Sequence, residues 1–117
     1  MRIFLSISTA LLALGGATFS AQAEGAYGPD TCKQGYVWRE AIPSDHVCVL
    51  PAMRSLVQTE NKRAWKLRDP NGRYGSDSCK QGYVWREAFT GDRVCVTPQR
   101  RTQTQRQNAV AARRVAR

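Results

Sequence analysis

The four cysteines are the residues whose possible chemical roles the sequence restricts most clearly. Thiol catalysis, zinc binding and disulfide formation are the three roles open to Cys32, Cys48, Cys79 and Cys95. A zinc site wants Cys or His ligands about two to four residues apart, and neither cysteine pair has that spacing. His46 lies near Cys48, but a bridged cysteine offers no thiolate for it to activate. We therefore interpret His46 as a turn residue and expect no metal and no cofactor.

Carboxylates recur at matching positions in the two halves of the chain. They stand beside glycine, proline and serine, where short acidic side chains bind their own backbone in turns. The residues concerned are Asp30, Asp45, Asp77 and Asp92. The chain also lacks a glycine-rich phosphate loop and a serine nucleophile motif. We predict a protein that is not an enzyme; the rival, a secreted hydrolase or thiol redox enzyme, would need an acid–base set or a free thiol.

The chain contains two tandem copies of one sequence unit. A shift of 47 positions lays Tyr27–Pro51 over Tyr74–Pro98 with 18 of 25 residues identical. Four cysteines allow three pairings. Because each copy holds one pair at the same spacing, we predict the bridges Cys32–Cys48 and Cys79–Cys95. Closing a loop of about 15 residues is worth on the order of 3 kcal/mol, so reduction is expected to unfold the units.

Each copy predicts a hairpin followed by a helix. Gly35–Ala41 is rich in aromatic and β-branched residues and predicts a strand, and Val47–Val49 predicts its partner. Thr97 and Pro98 form a good N-cap and first-turn pair. Residues near one face of the first helix are Met53, Leu56, Val57, Glu60, Ala64 and Leu67. We predict a small α+β fold of two tandem disulfide-stapled hairpin and helix units, with their mutual packing left open.

The amino terminus has the pattern of an export signal. Arg2 precedes an apolar stretch from Ile3 to Ala17, and Ala21-Gln22-Ala23 is a small-x-small cleavage site. The apolar run is too short and too interrupted to span the roughly 30 Å hydrocarbon core of a membrane comfortably. We predict a signal peptide over 1–23 and a soluble periplasmic or extracellular product with no transmembrane span.

The mature chain divides by composition into three parts. Residues 24–73 form repeat unit 1, 74–98 form the hairpin of repeat unit 2, and 99–117 form a basic tail that we expect to be helical or disordered. Its apolar face is thin, so we expect a helix that frays or orders only on a partner. The arginines of the tail are Arg100, Arg101, Arg106, Arg113, Arg114 and Arg117.

Charge and aromatic residues supply the candidate binding surface. The chain carries 18 Lys and Arg against 9 acids, a formal charge of +9, which favours anionic partners. We place that binding in the tail; the alternative places it in the repeats, at Lys33, Arg39, Lys80 and Arg86. Alternation along each strand puts two aromatic side chains on one face, where they form either a small core or a stacking surface for sugars or bases. These aromatic residues are Tyr36, Trp38, Tyr83 and Trp85.

The repeated string resembles a cysteine-containing repeat of secreted bacterial proteins. It reads Tyr-Gly-Pro-Asp-Thr-Cys-x-x-Gly-Tyr-Val-Trp-Arg-Glu-Ala-x-x-x-Asp-His-Val-Cys-Val-x-Pro. The second copy has Ser76, Thr90 and Arg93 where the first has Pro29, Pro43 and His46. The resemblance implies an exported module and transfers no catalytic residue.

These observations favour an exported, non-catalytic binding or structural module of the bacterial envelope or exterior. Its expected partners are an anionic envelope polymer, a glycan or lipid head groups, with nucleic acid less favoured. The alternative is a cationic antimicrobial or toxin-like protein.

Overall fold

The computed structural model describes residues 25–117, and the predicted signal peptide lies outside them. Each unit contains a short antiparallel hairpin, which in the first unit follows a 3₁₀ turn over Gly28–Asp30. In the first hairpin Trp38 lies opposite Cys48, and in the second Trp85 lies opposite Cys95. The strands are β1 (Val37–Trp38), β2 (Cys48–Val49), β3 (Val84–Trp85) and β4 (Cys95–Val96).

Disulfides within each unit hold these hairpins. Cys32 is bonded to Cys48 and Cys79 to Cys95, with Cα–Cα distances of 5.6 and 5.7 Å. Both predicted pairings are confirmed, as is the small α+β class with two similar units.

The strands are shorter than the sequence predicts. The composition of Gly35–Ala41 predicts an extended run throughout, but only Val37 and Trp38 form the strand. Glu40 has a φ of 54°, in the left-handed region, and this conformation ends the extended run. The backbone N–H of Glu40 then donates to the carbonyl of Asp45 at 3.1 Å, which closes the hairpin turn. Glu87, with a φ of 57°, has the same conformation in the second unit.

A helix of equal length follows each hairpin. The helices are α1 (Pro51–Arg63) and α2 (Pro98–Val110), and each continues as a 3₁₀ turn, over Ala64–Leu67 and Ala111–Arg114. The predicted Thr-Pro start is confirmed, because the Thr97 hydroxyl accepts the backbone N–H of Arg100 at 3.3 Å. At the matching position α1 has Leu50, whose side chain cannot cap.

The face of α1 buries less apolar surface than its sequence predicts. Val57 is the one buried residue of the helix, and Ala64 is buried in the turn that follows it. Leu56, which the periodicity places on the core face, is 37% exposed. Apolar contact alone therefore does not hold this helix in place.

The two units close on each other through reciprocal backbone pairing. Arg68, beyond the end of α1, pairs with Cys79 of the second unit, and Val115, beyond the end of α2, pairs with Cys32 of the first. The 47-residue shift converts one junction into the other. The arrangement is thus a pseudo-two-fold dimer contained in one chain.

Buried arginines form the centre of the structure. Arg39 and Arg86 are each 1% exposed and are the largest fully buried side chains among residues 25–117. Arg39 donates to both carboxylate oxygens of Asp45, from Nε at 2.7 Å and Nη2 at 3.1 Å. Arg86 binds Asp92 in the same way, at 2.8 and 3.2 Å. The alternative in which these two arginines bind an external polyanion is wrong, because the guanidinium of each is already paired with a carboxylate within the protein.

The Arg-rich segment packs on the first unit through polar groups. Arg39 donates to the Asn108 side chain at 2.9 Å, and the backbone N–H of Ala116 donates to the Thr31 carbonyl at 2.7 Å. Thr104 and Gln107 of α2 are buried. A thin apolar face therefore does not prevent docking, because hydrogen bonds and a backbone pairing supplement it.

Candidate functional site

The acidic side chains of residues 25–117 are engaged within the molecule. All except Asp69, which caps a backbone N–H, lie within 4.0 Å of a basic side chain. The pairs are Asp30–His46, Glu40–Arg54, Asp45–Arg39, Glu60–Arg86, Glu60–Arg100, Asp77–Arg68, Glu87–Arg101 and Asp92–Arg86. The excess positive charge is consequently carried by side chains that have no acid beside them.

These uncompensated cations are exposed, apart from a half-buried Arg114. Within residues 25–117 they are Lys33, Lys62, Arg63, Lys66, Arg73, Lys80, Arg93, Arg106, Arg113, Arg114 and Arg117.

One junction between the units gathers several of them. The backbone N–H of Lys33 donates to the carbonyl of Arg114 at 2.8 Å, so Lys33 lies beside the end of the second unit. Arg113 and Arg117 flank that contact along the chain and are exposed. We call Lys33, Arg113, Arg114 and Arg117 the junction cluster. The fold thereby joins a lysine of the first repeat to the arginines of the predicted tail.

Arg114 is the member of the junction cluster with a fixed position. Its guanidinium lies 4.8 Å from the centroid of the Tyr36 ring and donates to the Cys48 carbonyl at 3.4 Å. A cation over an aromatic face keeps its charge while its stem is held. Arg114 is therefore preorganised, whereas the exposed arginines beside it are free to adjust.

The six tail arginines do not form one set. Arg100 is bound to Glu60 at 2.6 and 2.9 Å, and Arg101 lies 3.4 Å from Glu87. Those two charges are compensated, which leaves four with no acidic partner in the described range. They are Arg106, Arg113, Arg114 and Arg117.

An aromatic cleft lies beside the disulfide of each unit. In the first unit Tyr27, Tyr36 and Trp38 line a cleft of about 340 Å³ that Arg54 also borders. The predicted pair Tyr36 and Trp38 is therefore brought together with a third ring. Tyr27 meets Trp38 edge-on at 5.8 Å and is 73% exposed.

The second unit repeats this arrangement in a smaller cleft. Tyr74, Tyr83 and Trp85 line about 200 Å³. Tyr27 and Tyr74 are absent from the aromatic residues predicted by strand alternation, because both lie outside the strands. The signal that could have identified them is their position, since each is the first residue of its copy of the 25-residue duplicated stretch.

The tryptophans are held in place and partly covered. Trp38 donates from Nε1 to the Asp30 carbonyl at 2.8 Å, and His46 stacks on its ring at a centroid distance of 3.8 Å. In the second unit Arg93 takes the place of His46, 4.1 Å above Trp85. One face of each indole is thus already occupied, which favours a structural role for the tryptophans over a stacking role.

His46 does more than occupy a turn. Its Nδ1 lies 3.0 Å from Asp30 Oδ2, so the stacked ring is also tied to the start of the unit. The prediction that Asp45 and Asp92 act in turns is confirmed. Asp45 accepts the backbone N–H of Ala41 at 3.0 Å, and Asp92 accepts that of Ala88 at 2.8 Å.

The part of the chain that the structure describes has no group of three or more His, Cys, Asp or Glu side chains placed to hold a metal ion. None of the helices and shorter helical turns in residues 25–117 has the length and hydropathy of a membrane-spanning helix. Comparison with protein-family models, curated proteins and solved structures gives no significant match to this chain.

Proposed function

We propose that this protein is an exported, disulfide-stabilised module that binds anionic polymers of the cell envelope or exterior through the junction cluster. The observation that supports this most directly is the backbone pairing of Lys33 with Arg114, which brings together basic residues of both units that form no ion pair of their own within residues 25–117. Disulfides in both units suit an oxidising compartment. Export rests on the amino-terminal signal pattern, and a bacterial setting rests on the resemblance of the repeat.

Binding by such a cluster has a recognisable dependence on salt. A polyanion releases condensed counterions when cations neutralise it, so affinity falls steeply as ionic strength rises. Each contact between a protein cation and the polyanion increases the magnitude of the negative slope of log K against log salt by close to one unit. On nucleic acid phosphates the increase is about 0.7–0.9. The number of contributing cations is therefore measurable without a structure of the complex.

The test measures binding of long-chain inorganic polyphosphate to the oxidised protein over a range of salt concentrations. The variant combines Lys33→Gln, Arg113→Gln and Arg117→Gln, which are exposed and make no ion pair. We expect the salt slope to fall by about 2–3 and the affinity at low salt to fall with it. Arg114 is left unchanged because its contact with Tyr36 is structural.

A control variant that loses the same number of charges tests whether the position of the removed cations matters. It combines Lys62→Gln, Arg63→Gln and Arg73→Gln, which also remove three exposed cations from outside the cluster. We expect this variant to retain most of the salt slope. Equal losses in the two variants would show that net charge alone governs binding and would overturn the assignment to the junction cluster.

The antimicrobial alternative predicts a different result. A membrane-active cation should release dye from anionic vesicles, whereas a polymer-binding module should bind polyphosphate and leave vesicles intact. Leakage at the concentrations that saturate polyphosphate would favour the antimicrobial function.

A further inference from the structure

Trp65 is exposed, unlike the other tryptophans of the chain. It is 68% exposed, whereas Trp38 and Trp85 are half-buried. Those two indoles each donate from Nε1 to a backbone carbonyl at 2.8 Å, and Trp65 has no such bond within residues 25–117. Its apolar ring and its N–H are therefore both available to a partner, which is the usual state of tryptophan at interaction surfaces.

Two lysines lie beside the Trp65 ring. Lys62 precedes it by three positions in the last turn of α1, and side chains three positions apart lie on the same side of a helix. Lys66 follows it in the 3₁₀ turn, with Nζ 5.7 Å from the centroid of the indole ring. Both lysines are exposed, and neither forms an ion pair within residues 25–117. We call Lys62, Trp65 and Lys66 the Trp65 patch.

The second unit folds in the same way without most of this patch. Ala109 and Ala112 stand at the positions equivalent to Lys62 and Trp65, and both alanines are exposed. α2 nevertheless has the length of α1 and also continues as a 3₁₀ turn. Its last turn contains no basic residue, so a cation is not required there to offset the helix dipole. The fold of a unit therefore does not account for the indole of Trp65 or the charge of Lys62.

An exposed indole beside two lysines fits the surface of an anionic membrane. Tryptophan concentrates at the boundary of a bilayer, where its ring contacts the acyl region and its N–H reaches the polar layer. Lysine lays its stem along apolar surface and keeps its ammonium group among the charged head groups. Each lysine near an anionic leaflet increases the partition coefficient by about fivefold. A polyphosphate offers the charge but has no apolar region to receive the ring.

We propose that the Trp65 patch docks the protein on the surface of membranes that contain anionic lipid. The indole inserts at the level of the head groups, and Lys62 and Lys66 bind lipid phosphates beside it. The protein lies on the bilayer without disrupting it, so vesicles keep their contents. Trp65 lies in the turn that leads to the pairing of Arg68 with Cys79, whereas the junction cluster surrounds the other junction. Lipid binding and polymer binding therefore use different residues.

The test measures sedimentation of the oxidised protein with vesicles of phosphatidylglycerol and phosphatidylcholine at low ionic strength. Trp65→Ala introduces the residue that the second unit already has at Ala112, so the variant should fold, as circular dichroism checks. It should lower the partition coefficient by at least about tenfold, because the apolar ring is lost. Lys62→Gln combined with Lys66→Gln should lower it by roughly 25-fold.

Matched controls remove similar groups from outside the patch. Tyr27→Ala removes another exposed ring and should leave vesicle binding unchanged. Arg113→Gln combined with Arg117→Gln removes as many exposed cations as the lysine variant and should weaken vesicle binding far less. Polyphosphate binding, which is assigned to the junction cluster, should be unchanged by Trp65→Ala.

Fluorescence quenching tests the insertion of the ring directly. Trp38→Phe combined with Trp85→Phe leaves Trp65 as the only tryptophan. Phosphatidylglycerol brominated near the top of its acyl chains should quench the emission of this variant when it is bound. The proposal is overturned by absence of quenching in the bound protein, by no binding to the vesicles, or by equal losses in the lysine and arginine variants. It is also overturned if Trp65→Ala weakens binding of oligothymidylate and not of vesicles, which would identify single-stranded nucleic acid as the ligand.

Discussion

Removing the negative charge of Asp45 should test the buried arginine centre most severely. Its carboxylate accepts two bonds from Arg39 and the backbone N–H groups of Ala41 and Val47, at 2.7 to 3.3 Å. Asp45→Asn keeps the size of the side chain and one acceptor oxygen. It leaves the guanidinium of Arg39, which is 1% exposed, without its counterion.

The expected cost is about 3–5 kcal/mol, the usual penalty for breaking one side of a buried ion pair. Small domains are stable by about 5–15 kcal/mol in total, so this variant should lie near the limit of folding. With a urea m-value of about 1–1.5 kcal/mol/M, the unfolding midpoint should fall by roughly 2–5 M. Urea unfolding of the oxidised protein, followed by tryptophan fluorescence, measures this directly.

A half-exposed ion pair supplies the control. Arg54 lies 3.3 Å from Glu40, and both side chains are more than a third exposed. Solvent screens such a pair, and Arg54→Gln should cost under about 1 kcal/mol.

A double variant separates the pair from its surroundings. Arg39→Met combined with Asp45→Asn removes the stranded cation and should recover part of the stability lost by Asp45→Asn alone. A cost for Asp45→Asn no greater than that of Arg54→Gln would refute the reasoning, as would strictly additive effects in the double variant.

Three further outcomes are expected. Reduction of both disulfides should unfold the protein at room temperature, as a loss of dispersion in its amide NMR spectrum, because each bridge closes a loop worth about 3 kcal/mol. Glu40→Gly should change the thermal midpoint little or raise it, because relief of the left-handed φ offsets the lost contact with Arg54, whereas Glu40→Val should lower the midpoint clearly. Trp38→Phe should cost about 1 kcal/mol in urea unfolding by circular dichroism, for the lost hydrogen bond to Asp30, and a variant that loses only ligand binding would contradict this structural role.

Local features of this fold were readable from the sequence where residue spacing or residue type determines them. Identical cysteine spacing led to both disulfides, and the Thr97-Pro98 pair led to the start of α2. The strand lengths were not readable. Glutamate usually has a negative φ next to a strand, so its residue type does not predict the positive φ of Glu40.

The centre of the fold was missed for a different reason. Arginine is assigned to the surface by its charge, and burial of Arg39 becomes reasonable only when a partner is identified. A signal was present, since an aspartate follows the arginine by six positions in both copies, as Arg39 with Asp45 and Arg86 with Asp92. The junctions could not be deduced at all, because sequence similarity between two units does not say which surfaces they share.

Containing both halves of a two-fold arrangement in one chain has a consequence for how the protein can vary. In a symmetric dimer of identical chains every substitution appears twice, so a charge placed in one half is also placed in the other. Here each half is encoded separately. Glu60 and Gln107, or Met53 and Arg100, occupy equivalent positions and differ in charge while the frame around them stays the same. One half therefore contains the ion pair of Glu60 with Arg100 that the equivalent positions of the other half lack, a difference that identical subunits cannot have.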